Sequence, residues 1–296
     1  MVCGLDHILF MYEEPAGHYI HRSRKSVSHS IHGSVSAVTG KRTPDTISVA
    51  GKSILYTGAA GGLGLATTLR FLRAGARVVA IDNDPAKVET LRSSVENERL
   101  DGLTVREADL SNLATLRELL QETARETGGY DIVINNAAIY PSKPFEEYSI
   151  EEFQAVQRVN VDAGVVCVQM ALPSMREKGW GRIINIASVT AYGGWANLAP
   201  YVQSKAALIG LTRAWASEFG QYGVTVNAVA PGAFPTDAEK IHPDPEGYTR
   251  FVLDHQAVKR RGHADDIANA LMFLASEGSG FITGQTLNVD GGWVMN

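Results

Sequence analysis

The sequence predicts an α/β protein in which a doubly wound, parallel sheet of about seven strands carries helices on both faces. From residue 51 onward, short runs rich in β-branched residues alternate with longer amphipathic stretches. A strand, a helix and a second strand in succession make the strands parallel, because the helix returns the chain to the starting edge of the sheet. A glycine-rich loop also separates the first strand from the first helix, as in sheets that bind ligands at the carboxyl ends of their strands.

Seven segments are predicted to be strands because they are short and mostly rich in valine and isoleucine. Between them, stretches such as 65–75, 113–128, 151–177 and 206–219 repeat apolar residues at helical spacing. The last two are long and apolar enough to pack inside the subunit or against another one. The predicted strands are KSILYT (52–57), ARVVAID (76–82), LTVREAD (103–109), DIVINN (131–136), GRIINIAS (181–188), VTVNAVAP (224–231) and TLNVD (286–290).

Composition and charge narrow the class of protein and its partners. The 296 residues are 45% hydrophobic and 20% charged, which is typical of a soluble globular chain, and no apolar run is long enough to span a bilayer. The net charge of −5 and the lack of a basic stripe argue against nucleic acid as a partner. Cys3 and Cys167 are too few for a disulfide framework or a thiolate metal site, so the sequence favours the reducing cytoplasm.

Residues 1–48 differ from the rest and are predicted to be an N-terminal extension outside a single domain formed by residues 49–296. The stretch HYIHRSRKSVSHSIHGS holds four histidines and five serines but little apolar periodicity. Asp6, Glu13 and Glu14 interrupt the pattern that a secretory signal or a mitochondrial presequence needs. The histidine spacing matches no metal-binding motif, so no metal site is predicted.

The stretch TGAAGGLG, residues 57–64, follows the first predicted strand and precedes a helix. In this context Gly58 allows a tight turn, Gly62 lets the backbone approach a pyrophosphate, and Gly64 lets the helix pack closely on the sheet. The first turn of the helix then offers free N–H groups to phosphates. A glycine-rich loop alone is weak evidence, but one between a strand and a helix predicts a dinucleotide site.

Asp82 ends the second predicted strand, 24 residues beyond Gly58. A carboxylate at this place can accept hydrogen bonds from the ribose hydroxyls of an adenosine, although it could equally be a turn residue at a strand end. The same carboxylate would repel a 2′-phosphate, and neither Gly61 nor Asn83 supplies a compensating cation. The sequence therefore favours NAD over NADP.

The stretch YVQSK places Tyr201 and Lys205 four residues apart on one face of a predicted helix. Such a pair is by itself an ordinary surface feature. Beside a cofactor it acquires a use: a phenol has a pKa of about 10, and a neighbouring ammonium and a positively charged nicotinamide ring would both favour its ionised form. Tyr201 is then a candidate proton donor and acceptor.

Further segments complete an ordered pattern. They are NNAA (135–138), Asn160, Ser188 at 13 residues before Tyr201, PG (231–232) and ITGQTLNVDGG (282–292). Together with TGAAGGLG and YVQSK, they resemble the short-chain dehydrogenase/reductase family from about residue 51 to the C-terminus. Ala138, in place of a glycine, and Tyr56, in place of a small aliphatic residue, depart from the family pattern without touching the chemistry. The resemblance implies a Rossmann fold and an NAD(P)-dependent oxidoreductase.

By this resemblance, the protein transfers a hydride between NAD and a secondary alcohol or ketone. Tyr201 would act as general acid and base, and Lys205 would favour the phenolate and bind the nicotinamide ribose. Ser188 would hold the substrate oxygen near Tyr201, and Asn160 would place a water that connects Lys205 to solvent. Taken singly, Ser188 could equally be a helix or turn cap, and Asn160 a buried polar group bonded to backbone.

The resemblance also implies which residues bind the cofactor. Asp109 would neighbour the adenine, although it could equally cap the helix that follows. The backbone of Asn136 and Ala137 would run alongside the cofactor, and Thr236 would contact the nicotinamide. The predicted set is Gly58, Gly61, Gly62, Leu63, Gly64, Asp82, Asn83, Asp109, Leu110, Asn136, Ala137, Ala138, Tyr201, Lys205, Pro231, Gly232 and Thr236.

Substrate specificity is expected in the loops that follow the fourth, fifth and sixth strands, with 235–252 as a lid. Their large side chains predict a largely apolar cavity and a substrate with an apolar or aromatic body. The predicted substrate residues are Tyr140, Val189, Tyr192, Trp195 and Phe234.

Two alternatives stay open. One is an NADPH-dependent 3-oxoacyl-carrier-protein ketoreductase, against which Asp82 and the acidic net charge argue, since the carrier protein is itself acidic. The other is a cofactor-sensing protein that lost the chemistry, although the Ser188, Tyr201 and Lys205 pattern is intact. The resemblance further implies a homo-oligomer, usually a tetramer, built from two long helices and the C-terminal strand.

Overall fold

The computed structural model describes residues 47–295. All seven predicted strands are present, within two residues of their expected bounds. The predicted extension lies outside the described residues apart from Ile47 and Ser48, and the four histidines of its polar stretch lie outside them too. The strands are β1 Ser53–Thr57, β2 Arg77–Asp82, β3 Leu103–Glu107, β4 Ile132–Asn135, β5 Gly181–Ile186, β6 Val224–Pro231 and β7 Thr286–Val289.

The seven strands form one parallel sheet in the order β3-β2-β1-β4-β5-β6-β7. The chain runs outward from β1 to β3, then returns to pair β4 with β1 and continues outward on the other side. This order confirms the doubly wound fold. It makes the crevice between the carboxyl ends of β1 and β4 the topological switch point, which is where sheets of this kind bind their ligands.

Helices connect the strands, and local caps fix where several of them begin. Helix α2 starts after Asp84, whose carboxylate accepts hydrogen bonds from the N–H groups of Ala86 and Lys87. Helix α4 starts with a capping box between Ser149 and Glu152. Within residues 47–295, none of the helices is long and apolar enough to cross a membrane. The α-helices of this range are α1 Gly62–Arg73, α2 Pro85–Asn97, α3 Leu113–Thr127, α4 Ile150–Gln157, α5 Ala163–Lys178, α6 Thr190–Gly193, α7 Ala199–Phe219, α8 Pro245–His255 and α9 Ala264–Ala275.

The central strands are buried on both faces, as a parallel sheet between two helical layers requires. In β1, Ile54 and Tyr56 pack into one apolar cluster with α1, α2 and α9, whereas Leu55 packs into the other with α3, α5 and α7. Tyr56, which departs from the family pattern, is fully buried in the first cluster. The two clusters together hold the strand ends in place, so the carboxyl edge of the sheet is a fixed platform for a site.

The stretch 151–177, predicted as one long helix, is interrupted by a π-helical turn at Arg158–Asp162 between α4 and α5. The N–H of Ala163 donates to the carbonyl of Arg158, five residues earlier. Asn160 lies in this turn and is buried. Hydrophobic periodicity does not reveal such a turn, because one wider turn changes the angle between the flanking helices without changing their apolar composition.

Candidate active site

A cavity of about 660 Å³ opens at the carboxyl edge of the sheet, beside the switch point. One end is lined by the glycine-rich loop and the end of β2, and the other by the loops that follow β4, β5 and β6. All of the residues predicted to bind the cofactor line this cavity: Gly58, Gly61, Gly62, Leu63, Gly64, Asp82, Asn83, Asp109, Leu110, Asn136, Ala137, Ala138, Tyr201, Lys205, Pro231, Gly232 and Thr236.

The glycine-rich loop has no room for larger residues at two points. Gly58 has a φ of +66°, a conformation that favours glycine, and its N–H donates to the carbonyl of Ile81 at 2.8 Å. A Cβ atom at Gly64 would lie 2.1 Å from the carbonyl oxygen of Gly58, so the first turn of α1 packs directly on the loop. Gly61 has no side chain to cap α1, which leaves the first N–H groups of the helix for an anion.

Asn136 ties the loop after β4 to the glycine-rich loop. Its side-chain amide donates to the carbonyls of Thr57 at 3.1 Å and Gly58 at 3.0 Å. Its backbone N–H donates to the Thr57 hydroxyl at 3.0 Å. These bonds cross the switch point between β1 and β4, so the NNAA segment holds two walls of the cavity at a fixed separation.

Asp82 binds the backbone of its own surroundings and also lines the cavity. One carboxylate oxygen accepts from the N–H of Ala60 at 3.0 Å, and the other accepts from the N–H groups of Asn83 at 2.9 Å and Asp84 at 3.2 Å. The turn role that the sequence left open is therefore present. A carboxylate has about four acceptor sites, so Asp82 can also accept from the hydroxyls of a ribose.

The charges at this end of the cavity are mostly negative. The carboxylates of Asp82, Asp84, Asp109 and Asp237 line it together with the ammonium of Lys87. The Lys87 Nζ lies 3.0 Å from Asp237 and 3.6 Å from Asp84. The hydrogen bond with Asp237 raises the pKa of Lys87, so this lysine stays charged at neutral pH. Lys87 was not among the predicted residues, because its side chain reaches the cavity from the first turn of α2 rather than from the loop.

Three of the four residues predicted for the chemistry, Ser188, Tyr201 and Lys205, meet at one wall of the cavity. Tyr201 and Lys205 lie on the first two turns of α7, and the Lys205 Nζ is 5.5 Å from the centroid of the Tyr201 ring. The same Nζ donates to the carbonyl of Ile186, at the end of β5, at 2.7 Å. Ser188, two residues beyond that strand, shares a hydrogen bond with the phenol of Tyr201.

The described residues do not by themselves favour a phenolate at Tyr201, for which the sequence indicated both Lys205 and a positively charged nicotinamide. Burial raises the pKa of Tyr201 to about 12, the hydrogen bond with Ser188 lowers it in part, and the neighbouring Tyr140 raises it further. Burial also lowers the pKa of Lys205 to about 7, because the ammonium has lost most of its hydration. The described residues therefore hold Tyr201 protonated at neutral pH.

Asn160, predicted to place a water, does not line the cavity. Its side-chain oxygen accepts from the N–H of Ile139 at 2.8 Å, and its amide donates to the carbonyl of Ile139 and to the hydroxyl of Ser204, both at 3.0 Å. Ser204 precedes Lys205 on α7. The side chain of Asn160 therefore joins the loop after β4 to α7, the helix that carries Tyr201 and Lys205.

The opposite end of the cavity is lined by most of the residues predicted to contact substrate. Tyr140, Val189, Trp195 and Phe234 line it, and the Tyr140 ring lies edge-on to that of Tyr201 with 6.2 Å between centroids. Tyr192 does not line the cavity. It packs outside it, on a small apolar cluster that includes Val189, because α6 turns it away from the strand ends.

Other lining residues at this end were not predicted from the sequence. Thr190, Glu239, His242, Tyr248 and Trp293 all line the cavity. Trp293 follows the DGG segment at the carboxyl end of β7, and position at a strand end could have identified it. His242 and Tyr248 carry no comparable signal, because their approach depends on how the lid segment folds back.

Several known proteins are similar to this chain in sequence. A family model described as enoyl-(acyl carrier protein) reductase matches residues 58–294. The (2S)-((R)-hydroxy(phenyl)methyl)succinyl-CoA dehydrogenase subunit BbsD of Thauera aromatica is 39% identical over 80% of this chain and 94% of its own length. The 3-oxoacyl-acyl-carrier-protein reductase FabG of Thermotoga maritima is 34% identical over 83% of this chain and 98% of its own length.

A solved structure is similar to this chain in fold. The gluconate 5-dehydrogenase of Burkholderia cenocepacia J2315, in complex with NADP and tartrate, has a TM-score of 0.78 and 31% sequence identity to this chain. The match covers 84% of this chain and 97% of that one.

We expect Lys205→Met to change how stability depends on pH in the absence of cofactor. Burial lowers the pKa of Lys205 to about 7, so above that pH the unfolded chain binds more protons at this residue than the folded protein does. The free energy of unfolding of the wild type should therefore rise relative to the variant between pH 7 and roughly 9.5, by at most about 1.4 kcal/mol per pH unit. Denaturant unfolding across this range measures the difference, and a constant difference would contradict the lowered pKa.

Proposed function

This chain belongs to the short-chain dehydrogenase/reductase family, and we propose that it transfers a hydride between NAD and a secondary alcohol or ketone with an apolar body. The relatives described above include dehydrogenases and a 3-oxoacyl reductase, which act on an alcohol or ketone group, and this supports the same reaction class for this chain. The observation that carries the proposal is the meeting of Tyr201, Lys205 and Ser188 on one wall of a cavity whose other end is a glycine cradle.

The residues present fit a nicotinamide dinucleotide. A Cβ atom at Gly64 would collide with the backbone of Gly58, and the uncapped start of α1 offers its N–H groups at this loop. Asp82 would accept from the adenosine ribose at one end, and Lys205 would donate to the nicotinamide ribose at the other. The Lys205 ammonium has three N–H groups and donates one of them to the carbonyl of Ile186. The other two belong to a buried side chain and can donate to further acceptors. The bound dinucleotide supplies the carbon that accepts or gives the hydride.

The protein's own groups handle the proton. In ketone reduction, the neutral Tyr201 phenol would donate to the carbonyl oxygen of the substrate, and the raised pKa keeps that proton in place until it is needed. In alcohol oxidation, Tyr201 would first release its own proton, and the resulting phenolate, stabilised by the charged form of Lys205, would then accept the hydroxyl proton of the alcohol. Ser188 would hold the reacting oxygen next to Tyr201 in both directions. Asn160 would keep α7 in register with the loop after β4 through its bond to Ser204.

The charges at the adenosine end support NAD rather than NADP. Four carboxylates face one lysine there, and Lys87 is already paired with Asp237 and Asp84. A 2′-phosphate would bring nearly two further negative charges into this group. The homologous gluconate 5-dehydrogenase is complexed with NADP. Among the described residues of this chain, Lys87 is the cation at this end of the cavity that could bind a 2′-phosphate.

The other end of the cavity supports an uncharged substrate. Tyr140, Trp195, Phe234 and Trp293 dominate it, and Lys87 and Lys205, the lysines among the described lining residues, both belong to the cofactor half. A substrate carboxylate would thus be desolvated without a cationic partner, which costs several kcal/mol. An apolar or aromatic alcohol binds there without that cost.

Three further features belong to this proposal. We expect a homo-oligomer, most simply a tetramer, because the edge strand β7 leaves Leu287 exposed and Phe281 beside it protrudes into solvent. We expect a cytoplasmic location, since Cys167 is a buried free thiol rather than a disulfide. Residues 49–296 would form the catalytic domain, and residues 1–48 an extension.

The similarity to the reductase of Thermotoga maritima supports one alternative, an NADPH-dependent ketoreductase that acts on an acyl carrier protein. The acidic adenosine end argues against its cofactor, as described above. Turnover of an acetoacetyl thioester with NADPH, at a rate above that of every alcohol with NAD, would favour the alternative over our proposal.

We expect Tyr201→Phe to lower kcat for alcohol oxidation by at least about a thousandfold, because the proton acceptor is removed while the ring remains. NAD binding should be retained. Tyr192→Phe is the matched control, since Tyr192 lies near the same helix but outside the cavity, and its activity should equal that of the wild type. A panel of alcohols with NAD, followed at about 340 nm, gives the rates, and calorimetry gives NAD affinity. A fully active Tyr201→Phe would overturn the mechanism, and no turnover of any alcohol by the wild type would favour the non-catalytic alternative.

We expect Asp82→Asn and Lys87→Ala to shift cofactor preference in opposite directions. Removing the carboxylate relieves repulsion of a 2′-phosphate, so the ratio of kcat/KM for NADP over NAD should rise about tenfold or more. Removing Lys87 leaves the carboxylates uncompensated, so the same ratio should fall. Both ratios come from initial rates with a single alcohol. A fall in the ratio for Asp82→Asn would be incompatible with the proposed role of this carboxylate.

A further inference from the structure

Aromatic side chains from three separate segments meet at the outer end of the cavity. Trp293, after β7, has its ring centroid 5.4 Å from that of Trp195, in the loop after β5. Phe251 and His255, on α8, each place a ring centroid 5.7 Å from that of Trp293. We call these four residues, Trp195, Phe251, His255 and Trp293, the aromatic mouth, and its two tryptophans line the cavity.

A second pair of rings continues the aromatic mouth inward. His242 and Tyr248 stack with 3.6 Å between ring centroids and an angle of 14° between planes, and both line the cavity. Glu239, the acidic residue beside them, is ion-paired with Arg261. The wall therefore presents flat rings, and the nearby carboxylate is already neutralised by its partner.

Backbone hydrogen bonds fix Trp293 from both sides. The two carboxylate oxygens of the buried Asp290 accept from the N–H groups of Gly292 at 2.9 Å and Val294 at 2.7 Å. Gly292 has a φ of +76°, so the chain turns sharply just before the tryptophan. Trp293 is thus presented to the cavity by a built turn rather than by a free C-terminal end.

Trp195 is held by close packing. A Cβ atom at Gly193 would lie 2.9 Å from the ring of Trp195, so the ring lies directly on the backbone of that glycine. With Trp293 fixed by Asp290 and Trp195 fixed by Gly193, two indole rings stand in set positions at the open end of the cavity. Aromatic rings attract one another through offset and edge-on contacts when their centroids lie roughly 4.5–7 Å apart. A further flat ring, from a ligand, could make the same contacts with either indole.

We propose that the aromatic mouth and the His242–Tyr248 pair form a subsite for an aryl group of the substrate. This inference rests on the proposed function, because the reacting carbon must lie at Tyr201. The cavity leads from Tyr201 past the edge-on ring of Tyr140 to the two tryptophans. The substrate is therefore a secondary alcohol or ketone that carries an aromatic ring on, or close to, the reacting carbon. Its ring packs against the indoles while its oxygen reaches Ser188.

A purely structural reading competes with this subsite. Phe251 and His255 also rest on Trp293, so the tryptophan could serve only to support α8 against the rest of the domain. The two readings differ in what a substitution does. Loss of support would lower activity for every substrate, whereas loss of a subsite would lower activity for aryl substrates alone.

The test compares 1-phenylethanol with 2-butanol as substrates of the full-length wild type, Trp293→Leu and Trp293→Phe, with NAD. Trp215→Phe serves as control for loss of an indole, because Trp215 stacks on Phe219 and does not line the cavity. We expect Trp293→Leu to lower kcat/KM for 1-phenylethanol by roughly 10- to 100-fold while changing that for 2-butanol less than about threefold. Trp293→Phe should restore most of the preference, and the control should keep it.

Equal losses with both alcohols in Trp293→Leu, or no loss with either, would overturn the subsite. If the wild type oxidises neither alcohol, the proposed hydride transfer has failed, and the subsite is then judged by binding alone. Acetophenone binding to the wild type and to Trp293→Leu is measured by ligand-observed NMR. Weaker binding to the variant supports the subsite, and equal or absent binding contradicts it.

Discussion

The hydrogen bond from the buried Lys205 ammonium to the carbonyl of Ile186 is the contact on which the site depends. It joins the second turn of α7 to the carboxyl end of β5, and thereby sets Tyr201 opposite Ser188. A lysine that is 2% exposed has lost its water shell, and a single carbonyl replaces only part of it. The packed core on both faces of the sheet offsets this cost. The Lys205 N–H groups that do not bind Ile186 could donate to the hydroxyls of a bound ribose.

The same burial explains why the protein leaves Tyr201 protonated. A phenolate in this wall would need a nearby positive charge, and at pH 7 Lys205 is charged only about half of the time, because burial has brought its pKa to about 7. An oxidised nicotinamide would supply that charge and its reduced form would not. The proton preference of Tyr201 would therefore follow the redox state of the cofactor: Tyr201 would hold its proton when a ketone is to be reduced and release it more readily when an alcohol is to be oxidised.

Most of the fold and the cofactor half of the site could be predicted from the sequence, since both depend on local patterns. Strand runs, glycine spacing and the interval from Tyr201 to Lys205 are all read along the chain, and the structure brings those segments to one edge of the sheet. Lys87 could not be identified in this way, because it reaches the cavity from the first turn of α2, whereas Trp293 could have been identified from its place after the carboxyl end of β7. Tyr192, which was expected at the cavity, lies on the short helix α6 and does not line it.

The segment between β6 and α9 touches both ends of the cavity. Near its start, Asp237 pairs with Lys87 on α2, beside the adenosine end. Farther along, α8 sets Phe251 against Trp293 at the outer end. A cofactor that draws Lys87 away from Asp237 would weaken the anchor of the segment that carries α8. Where the segment moves as one unit, a substrate that holds α8 against Trp293 would by linkage favour the cofactor that leaves the Lys87–Asp237 pair intact. The acidic adenosine end and the aromatic mouth, although they recognise different molecules, would then act on one equilibrium.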